Sequence, residues 1–354
     1  MGGSALILGD GIAGLLAASV LRRAGWDARV AGRGKGTLPH HRHAHAVSET
    51  IVGTIEALCG DHLPGWEMAD AIAITDSGWR DETRRPLLDP AGFAAALRWQ
   101  ATRLGARFGG EPAIVADGDV WRWDDGAGHG GPADLLIDAS GAGAAVGRIA
   151  GVDLAMEELD TVDRCWTWHG TSAGPGCAWT IAARAILASD ALLVRRNDGG
   201  FRMTVRSASA APPDPRLLLD AILVAVGGAW QSKMGAIRLD PVAIRHQAPF
   251  ARRTLVGNRE SLPPTIRLGD ALIQTAPRFG QGIAQIARHA ELLASGLSES
   301  RGLWEIATAI KEEAAQRWTA MVIAAAAYDR EWHDDERTVE RVAVAAGAGC
   351  RRGA

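Results

Sequence analysis

The chain opens on a short apolar run, Ser4 to Leu8, that leads straight into Gly9-Asp10-Gly11-Ile12-Ala13-Gly14 and then an Ala/Leu-rich stretch to Ala24. Three glycines in G-x-G-x-x-G spacing, at the joint between a strand and a helix, leave few folds open. The first glycine permits a tight turn. The second lets a pyrophosphate reach the backbone, and the third lets helix and strand pack closely. The helix N-terminus then offers its free N–H groups to the phosphates. Gly25 ends the helix and Ala28 to Ala31 resumes as a strand, which completes a strand–turn–helix–strand unit. The spacing predicts a dinucleotide held at Gly9, Gly11, Ile12, Ala13 and Gly14. A tight turn that holds no ligand is the alternative. One expected partner is absent. The second strand of such a unit ends in an acid that grips the adenosine ribose, whereas here it ends at Gly32, followed by Arg33. The ribose must be held otherwise, by backbone groups or through Arg33, or binding is weakened.

A length of 354 residues allows one large domain or two linked ones. With 22% charged residues and a net charge of −3, the chain has no strongly basic face to suggest nucleic acid as a partner. Cys59, Cys165, Cys177 and Cys350 are scattered without CxxC spacing and read as reduced thiols of a cytoplasmic protein. No targeting segment precedes the first strand, and the longest apolar stretch, around Met321 to Ala327, is too short to span a bilayer. Thirteen Trp stand against a single Tyr, Tyr328, and most of them should be core or pocket walls.

A loop rich in Gly, His and Pro runs from Gly32 to His45, followed by a helix from about Ala46 to Cys59. Residues 66 to 88 read as short strands and turns, and Phe93 to Gly105 as an amphipathic helix. Strands are expected near 112–116 and 119–123, then at Asp134 to Ala139. From about 154 to 257 the pattern is β-rich with one helix, Pro215 to Val226. An apolar strand returns at Thr265 to Leu268, a long helix begins near Gly282, and the segment from Leu303 onward reads as helical.

The second motif decides which dinucleotide. Thr265-Ile266-Arg267-Leu268-Gly269-Asp270-Ala271 is followed by Thr275-Ala276-Pro277-Arg278-Phe279-Gly280-Gln281-Gly282 and a helix. This stretch resembles the second FAD motif of the FAD-dependent monooxygenases of the aromatic-hydroxylase type. The resemblance implies that Asp270 bonds the ribityl chain, that Pro277 lies against the isoalloxazine ring, and that backbone N–H groups at Gly280, Gln281, Gly282 and Ile283 face its pyrimidine end. Physics agrees independently, because reduced flavin carries negative charge there and a helix N-terminus stabilises an anion. A Gly-rich loop between strand and helix is the bland alternative.

Asp134-Leu135-Leu136-Ile137-Asp138-Ala139-Ser140-Gly141 resembles the family's middle motif. Its Asp-Ala-Ser-Gly form is similar to that of flavin halogenases, geranylgeranyl reductases and the monooxygenases that mature tryptophan-derived quinone cofactors. The resemblance thus covers nearly the whole chain. Halogenation is disfavoured: Cys177-Ala178-Trp179-Thr180-Ile181-Ala182 departs from the halogenase Trp-x-Trp-x-Ile-Pro, and no lysine lies between Lys35 and Lys233.

Pro39-His40-His41-Arg42-His43-Ala44-His45 has no Cys, Asp or Glu beside it, so a metal site is not predicted. By resemblance Arg42 would line the cofactor, and His43 or His45 would stand near the substrate, where a His can serve as general base. Solvated loop histidines are the equal alternative. Trp166, Trp168 and Trp179 fall where the family places its substrate sheet, either as a stacking pocket or as ordinary core.

The expected fold is α/β: a Rossmann-like FAD-binding domain (1–153 plus 258–302, with a strand insert at about 62–90), an inserted antiparallel-sheet substrate domain (154–257) and C-terminal helices (303–354). The expected activity is that of an FAD-dependent monooxygenase, oxygenating an electron-rich aromatic through a flavin hydroperoxide, with NAD(P)H or a partner flavin reductase as electron donor. The substrate is a small aromatic molecule or, as an alternative, a Trp side chain in a partner polypeptide. A reductase of the geranylgeranyl-reductase type, which moves hydride without oxygen, is the other alternative.

Overall fold

The computed structural model describes residues 2–32, 45–75, 77–141, 145–149, 154–159, 164–174, 176–187, 189–207, 212–246, 250–255, 262–274 and 282–324. The chain divides into two compact units. The first comprises Met1–Glu67, Pro86–Asp160 and Ala248–Trp318, and the second Met68–Arg85, Thr161–Gln247 and Thr319–Ala354.

The first unit is built on a five-stranded parallel sheet in the order Thr265–Arg267, Leu135–Asp138, Ser4–Leu8, Asp27–Ala31, Arg107–Gly109. Near-continuous apolar strands mark a sheet covered on both faces, and Leu6, Ile7, Leu8, Leu135, Leu136 and Ile137 are all buried. The Ile12–Arg23 helix packs against the helices Glu49–Cys59, Pro90–Arg103 and Gly282–Ser298. A small antiparallel meander, Ala113–Asp117, Val120–Asp124 and Gly130–Ala133, places Trp121 in a core with Leu6, Leu8 and Leu136. The Trp121 indole N–H donates to Pro264 O at 3.2 Å, so this large side chain is buried with its polar atom satisfied. A second antiparallel sheet joins Leu154–Leu159, Phe250–Leu255 and Ile273–Gln274.

The Ser4–Leu8 strand lies between the second strand and Leu135–Asp138, its two parallel neighbours, with Leu8 opposite Ala31 on one side and Asp138 on the other. Chain order therefore departs in both directions from the first strand. In open α/β sheets the crevice at the carboxyl end of such a switch point is where ligands bind.

The second unit is a mostly antiparallel sheet in the order Ile237–Leu239, Arg164–Ser172, Gly200–Ser207, Ser189–Arg195, Trp179–Ile186, Trp66–Thr75, Arg80–Leu88. Trp179–Ile186 and Trp66–Thr75 alone among these neighbours run parallel. The helices Pro215–Val226 and Gly228–Met234 supply Leu218, Ile222, Val226, Trp230 and Met234 to its core. Asp214 starts the first of them by accepting N–H bonds from Arg216 at 2.9 Å and Leu217 at 3.2 Å, and Pro215 sets its first turn.

Residues 66–88, read from sequence as short strands and turns, form one hairpin of two long strands. The strands Leu154–Leu159 and Phe250–Leu255, at the margins of the segment expected to be the substrate domain, pair with each other inside the first unit. Among the described residues no helix is long and apolar enough to cross a membrane.

Candidate functional site

Three Gly-marked turns meet at the carboxyl ends of the first unit's parallel strands. In the first, Gly9 has φ +110°, and a Cβ there would lie 2.4 Å from Ala139 O. A Cβ at Gly14 would lie 1.9 Å from Gly9 O, so the helix sits directly on the turn. Gly11 differs: a Cβ there would meet nothing within 4 Å. It is the N-cap of the Ile12–Arg23 helix, without a side-chain cap and without an acid in the first turn. The first intrahelical bond runs from Leu15 N to Gly11 O at 3.0 Å, so the N–H groups of Ile12, Ala13 and Gly14 have no partner within the helix.

The second turn follows Leu135–Asp138. Asp138 is fully buried, and its carboxylate accepts from Ser140 N at 3.1 Å, Ser140 Oγ at 2.5 Å and Val146 N at 3.2 Å. Ser140 Oγ in turn accepts from Ala145 N at 2.6 Å. These bonds tie Asp138-Ala139-Ser140-Gly141 to the start of the Ala145–Ile149 helix, so the motif is a local brace packed closely against Gly9.

The third turn, Gly269–Ala271, follows Thr265–Arg267. Gly269 has φ +57°, and a Cβ there would lie 3.1 Å from Ile286 Cγ1 and 3.5 Å from Ala13 Cβ. The first and third motifs, more than half the chain apart in sequence, are therefore in packing contact. Two buried arginines hold this turn. Arg253 donates to Asp270 O at 2.8 Å and to Gln274 Oε1 at 2.9 Å, while Arg267 donates to Arg253 O at 2.6 Å. Burial pushes the Arg267 guanidinium down to about 10, against the pull of the Asp138 carboxylate. From the Gly282–Ser298 helix, Gln285 donates to Ile273 O at 2.8 Å. The fully buried His289 accepts Gly269 N–H on Nδ1 at 3.2 Å, and its Nε2 lies 3.3 Å from Glu313.

Asp270 has its main chain anchored and its carboxyl left over. Burial pushes that carboxyl up to about 6, with Arg253 acting in the opposite direction. Among the described residues no hydrogen-bond donor reaches it. A carboxyl largely withdrawn from water and without a protein donor is disfavoured in its charged form, and a ligand hydroxyl at this point would relieve it. The bare face of Gly11, the unused N–H groups behind it and this carboxyl fit a phosphate-linked, polyhydroxyl ligand such as FAD.

Arg33, Arg42, His43, Pro277, Gly280 and Gln281 lie outside the described residues. His45 is described in its backbone, as part of a two-residue strand paired with Leu88. Gly282 and Ile283 open the long helix. Trp166, Trp168 and Trp179 are buried members of the second unit's core, and Trp179 packs on Phe201 with ring centroids 5.8 Å apart. Cys59, one of the free thiols, is pushed up to about 11 by burial, which makes it a poor nucleophile. The residues that sequence reasoning missed are those behind the site: Arg253, Arg267, Gln285, His289 and Glu313. Arg267 carried a readable signal, a cation inside the apolar run Thr265 to Leu268. The others had none, because their partners are distant in sequence.

No family model and no curated protein sequence matches the chain. Solved structures do. A peptidyl tryptophan dihydroxylase, QhpG, essential for tryptophylquinone cofactor biogenesis, is 22% identical with a TM-score of 0.62 over 95% of this chain and 76% of its own. The flavin-dependent brominase Bmp2 is 13% identical with a TM-score of 0.63, over 94% of this chain and 87% of its own. The tetrameric 2-methyl-3-hydroxypyridine-5-carboxylic acid oxygenase is 16% identical with a TM-score of 0.64, over 93% and 91%. The chain therefore has the fold of the FAD-dependent monooxygenases.

Proposed function

We propose that this chain binds FAD at the three convergent turns and is a flavin-dependent monooxygenase acting on an electron-rich aromatic group. One observation carries the reading: Asp270 offers a half-buried carboxyl that no donor among the described residues reaches, at a turn whose Gly269 packs on Ala13, in the first turn of a helix whose leading N–H groups have no intrahelical partner. Backbone N–H groups of Ile12, Ala13 and Gly14 would hold the pyrophosphate, and Asp270 would accept from the ribityl hydroxyls. The N-terminus of the Gly282–Ser298 helix has no acid in its first turn, and a positive helix end suits the flavin pyrimidine. Bound FAD would supply the activation of dioxygen and its transfer. Pro277 against the ring, Arg42 beside the cofactor, and His43 or His45 as a base toward the substrate complete the assignment.

The likeness to a peptidyl tryptophan dihydroxylase favours a second reading of the substrate, in which the aromatic group is a Trp side chain in a polypeptide. Incorporation of oxygen into product separates oxygenase from reductase, since reduced flavin alone also consumes dioxygen. The purified chain, supplied with FAD and reduced by NAD(P)H or a flavin reductase, should consume oxygen. Its product from an aromatic small molecule or a Trp-containing peptide should gain mass from labelled dioxygen. Hydride transfer to an alkene under argon, with no oxygen incorporated in air, would overturn this assignment in favour of a reductase.

A further inference from the structure

The missing acid at Gly32 and the placement of Asp10 are two halves of one arrangement. Gly32 directly follows the second strand and is tied by its own N–H to Gly109 O at 3.1 Å. A Cβ at Gly32 would lie 2.3 Å from Asp10 Cγ and 2.6 Å from each of its carboxylate oxygens. The Asp10 carboxylate thus occupies the space that a side chain at position 32 would enter. It arrives there from the neighbouring turn, Gly9 to Gly11, across the carboxyl ends of strands whose last residues, Leu8 and Ala31, lie directly opposite each other.

Asp10 is held, but not used up. Arg98, from the Pro90–Arg103 helix, donates to Oδ2 at 2.8 Å, and its guanidinium rests on the Phe108 ring at 4.3 Å. Oδ1 receives no donor among the described residues. The Asp10 side chain is 32% exposed and that of Arg98 43%, so the carboxylate is reachable by a ligand rather than sealed in the core.

We propose that Asp10 replaces the acid absent from the second strand and accepts hydrogen bonds from the adenosine ribose hydroxyls, with Arg98 as the residue that positions it. Gly32 is glycine because the carboxylate needs its space. A charged acceptor beside a vicinal diol makes strong, charge-assisted hydrogen bonds, and it would repel a 2′-phosphate. The proposal rests on the FAD assignment above and adds to it the residue that recognises the adenosine end.

The test measures dissociation constants for FAD and for an FAD analogue built on 2′,3′-dideoxyadenosine, in the wild-type chain, in Asp10→Asn and in the double variant Asp10→Gly/Gly32→Glu. The wild type should prefer FAD over the analogue by about 10- to 100-fold. Asp10→Asn should lose most of that preference through weaker FAD binding, with analogue binding unchanged. The double variant, with its acid moved to the end of the strand, should regain preference. A preference that survives in Asp10→Asn, or a wild type that binds both ligands alike, would overturn the role of Asp10 while leaving FAD binding intact. A folded wild type that binds neither would overturn the FAD assignment and this one with it.

Discussion

Gly11 and Gly14 stand in the same turn, but a methyl group would act differently on each. At Gly14 the new carbon meets Gly9 O at 1.9 Å, so helix and turn must part. Gly14→Ala should destabilise the fold by about 1–3 kcal/mol, as over-packing does. At Gly11 it meets open space. Gly11→Ala should leave stability within about 0.5 kcal/mol and yet weaken FAD binding, because the methyl group stands where the pyrophosphate should lie. Urea unfolding set beside a flavin titration separates the two. Equal loss of stability in both variants would contradict an open cradle at Gly11. Asp270 gives a second residue-scale prediction. Its carboxyl is raised from 3.8 to about 6 in the fold. The corresponding stability is therefore fully present below about pH 3.8 and is lost as pH rises through about 6. Asp270→Asn should make the cofactor-free chain more stable than wild type at pH 7.5, with the gap closing toward pH 4, and should weaken FAD binding. Melting temperatures across that range check the sign, and a gap that widens on acidification would refute it.

At the scale of elements, the third turn is held by a strand, a helix and the helix after it. Glu313, from the helix over 303–324, reaches His289, which receives the Gly269 N–H. Burial pushes the Glu313 carboxyl up, but the neighbouring His289 and the hydrogen-bonded Arg317 outweigh it and bring it down from 4.5 to about 2. This contribution to stability is present above about pH 4.5 and is lost as pH falls through about 2. Glu313→Gln should flatten the acid limb of the unfolding free energy between pH 4.5 and 3, and an unchanged limb would show that the link carries no stability. Arg253→Met should cost about 2–4 kcal/mol by leaving the part-buried Asp270 carbonyl and the buried Gln274 amide oxygen unpaired, read as a lower urea midpoint. These links were not legible beforehand. The opening strand and helix, the Pro215–Val226 helix and the Gly282 start were, since each rests on local periodicity, a glycine or a cap. The Arg80–Leu88 strand was not. Its Arg80-Asp81-Glu82-Thr83-Arg84-Arg85 run is exposed on both faces, so the alternation that marks a half-buried strand is missing. Asp10 showed the same limit at the site: its acid was visible in the sequence, but only the close approach of Gly32 connects it to the missing one.

In the whole molecule, the three motifs occupy one end of one sheet although residues near 9, 138 and 269 are spread across most of the chain. Intervening segments build a second unit with its own core of Trp166, Trp168, Trp179 and neighbours. A ligand that binds only when the three turns are assembled stabilises the folded chain by mass action, about 2.7 kcal/mol at a hundredfold excess over its dissociation constant. If these turns form one FAD site, titrating the purified, folded chain with FAD while recording flavin absorbance and melting temperature will show it. One FAD per chain should bind, and the melting temperature should climb with FAD concentration, with both responses reduced in Gly11→Ala and in Asp270→Asn. A chain that stays folded, colourless and unmoved in melting temperature at saturating FAD would contradict it.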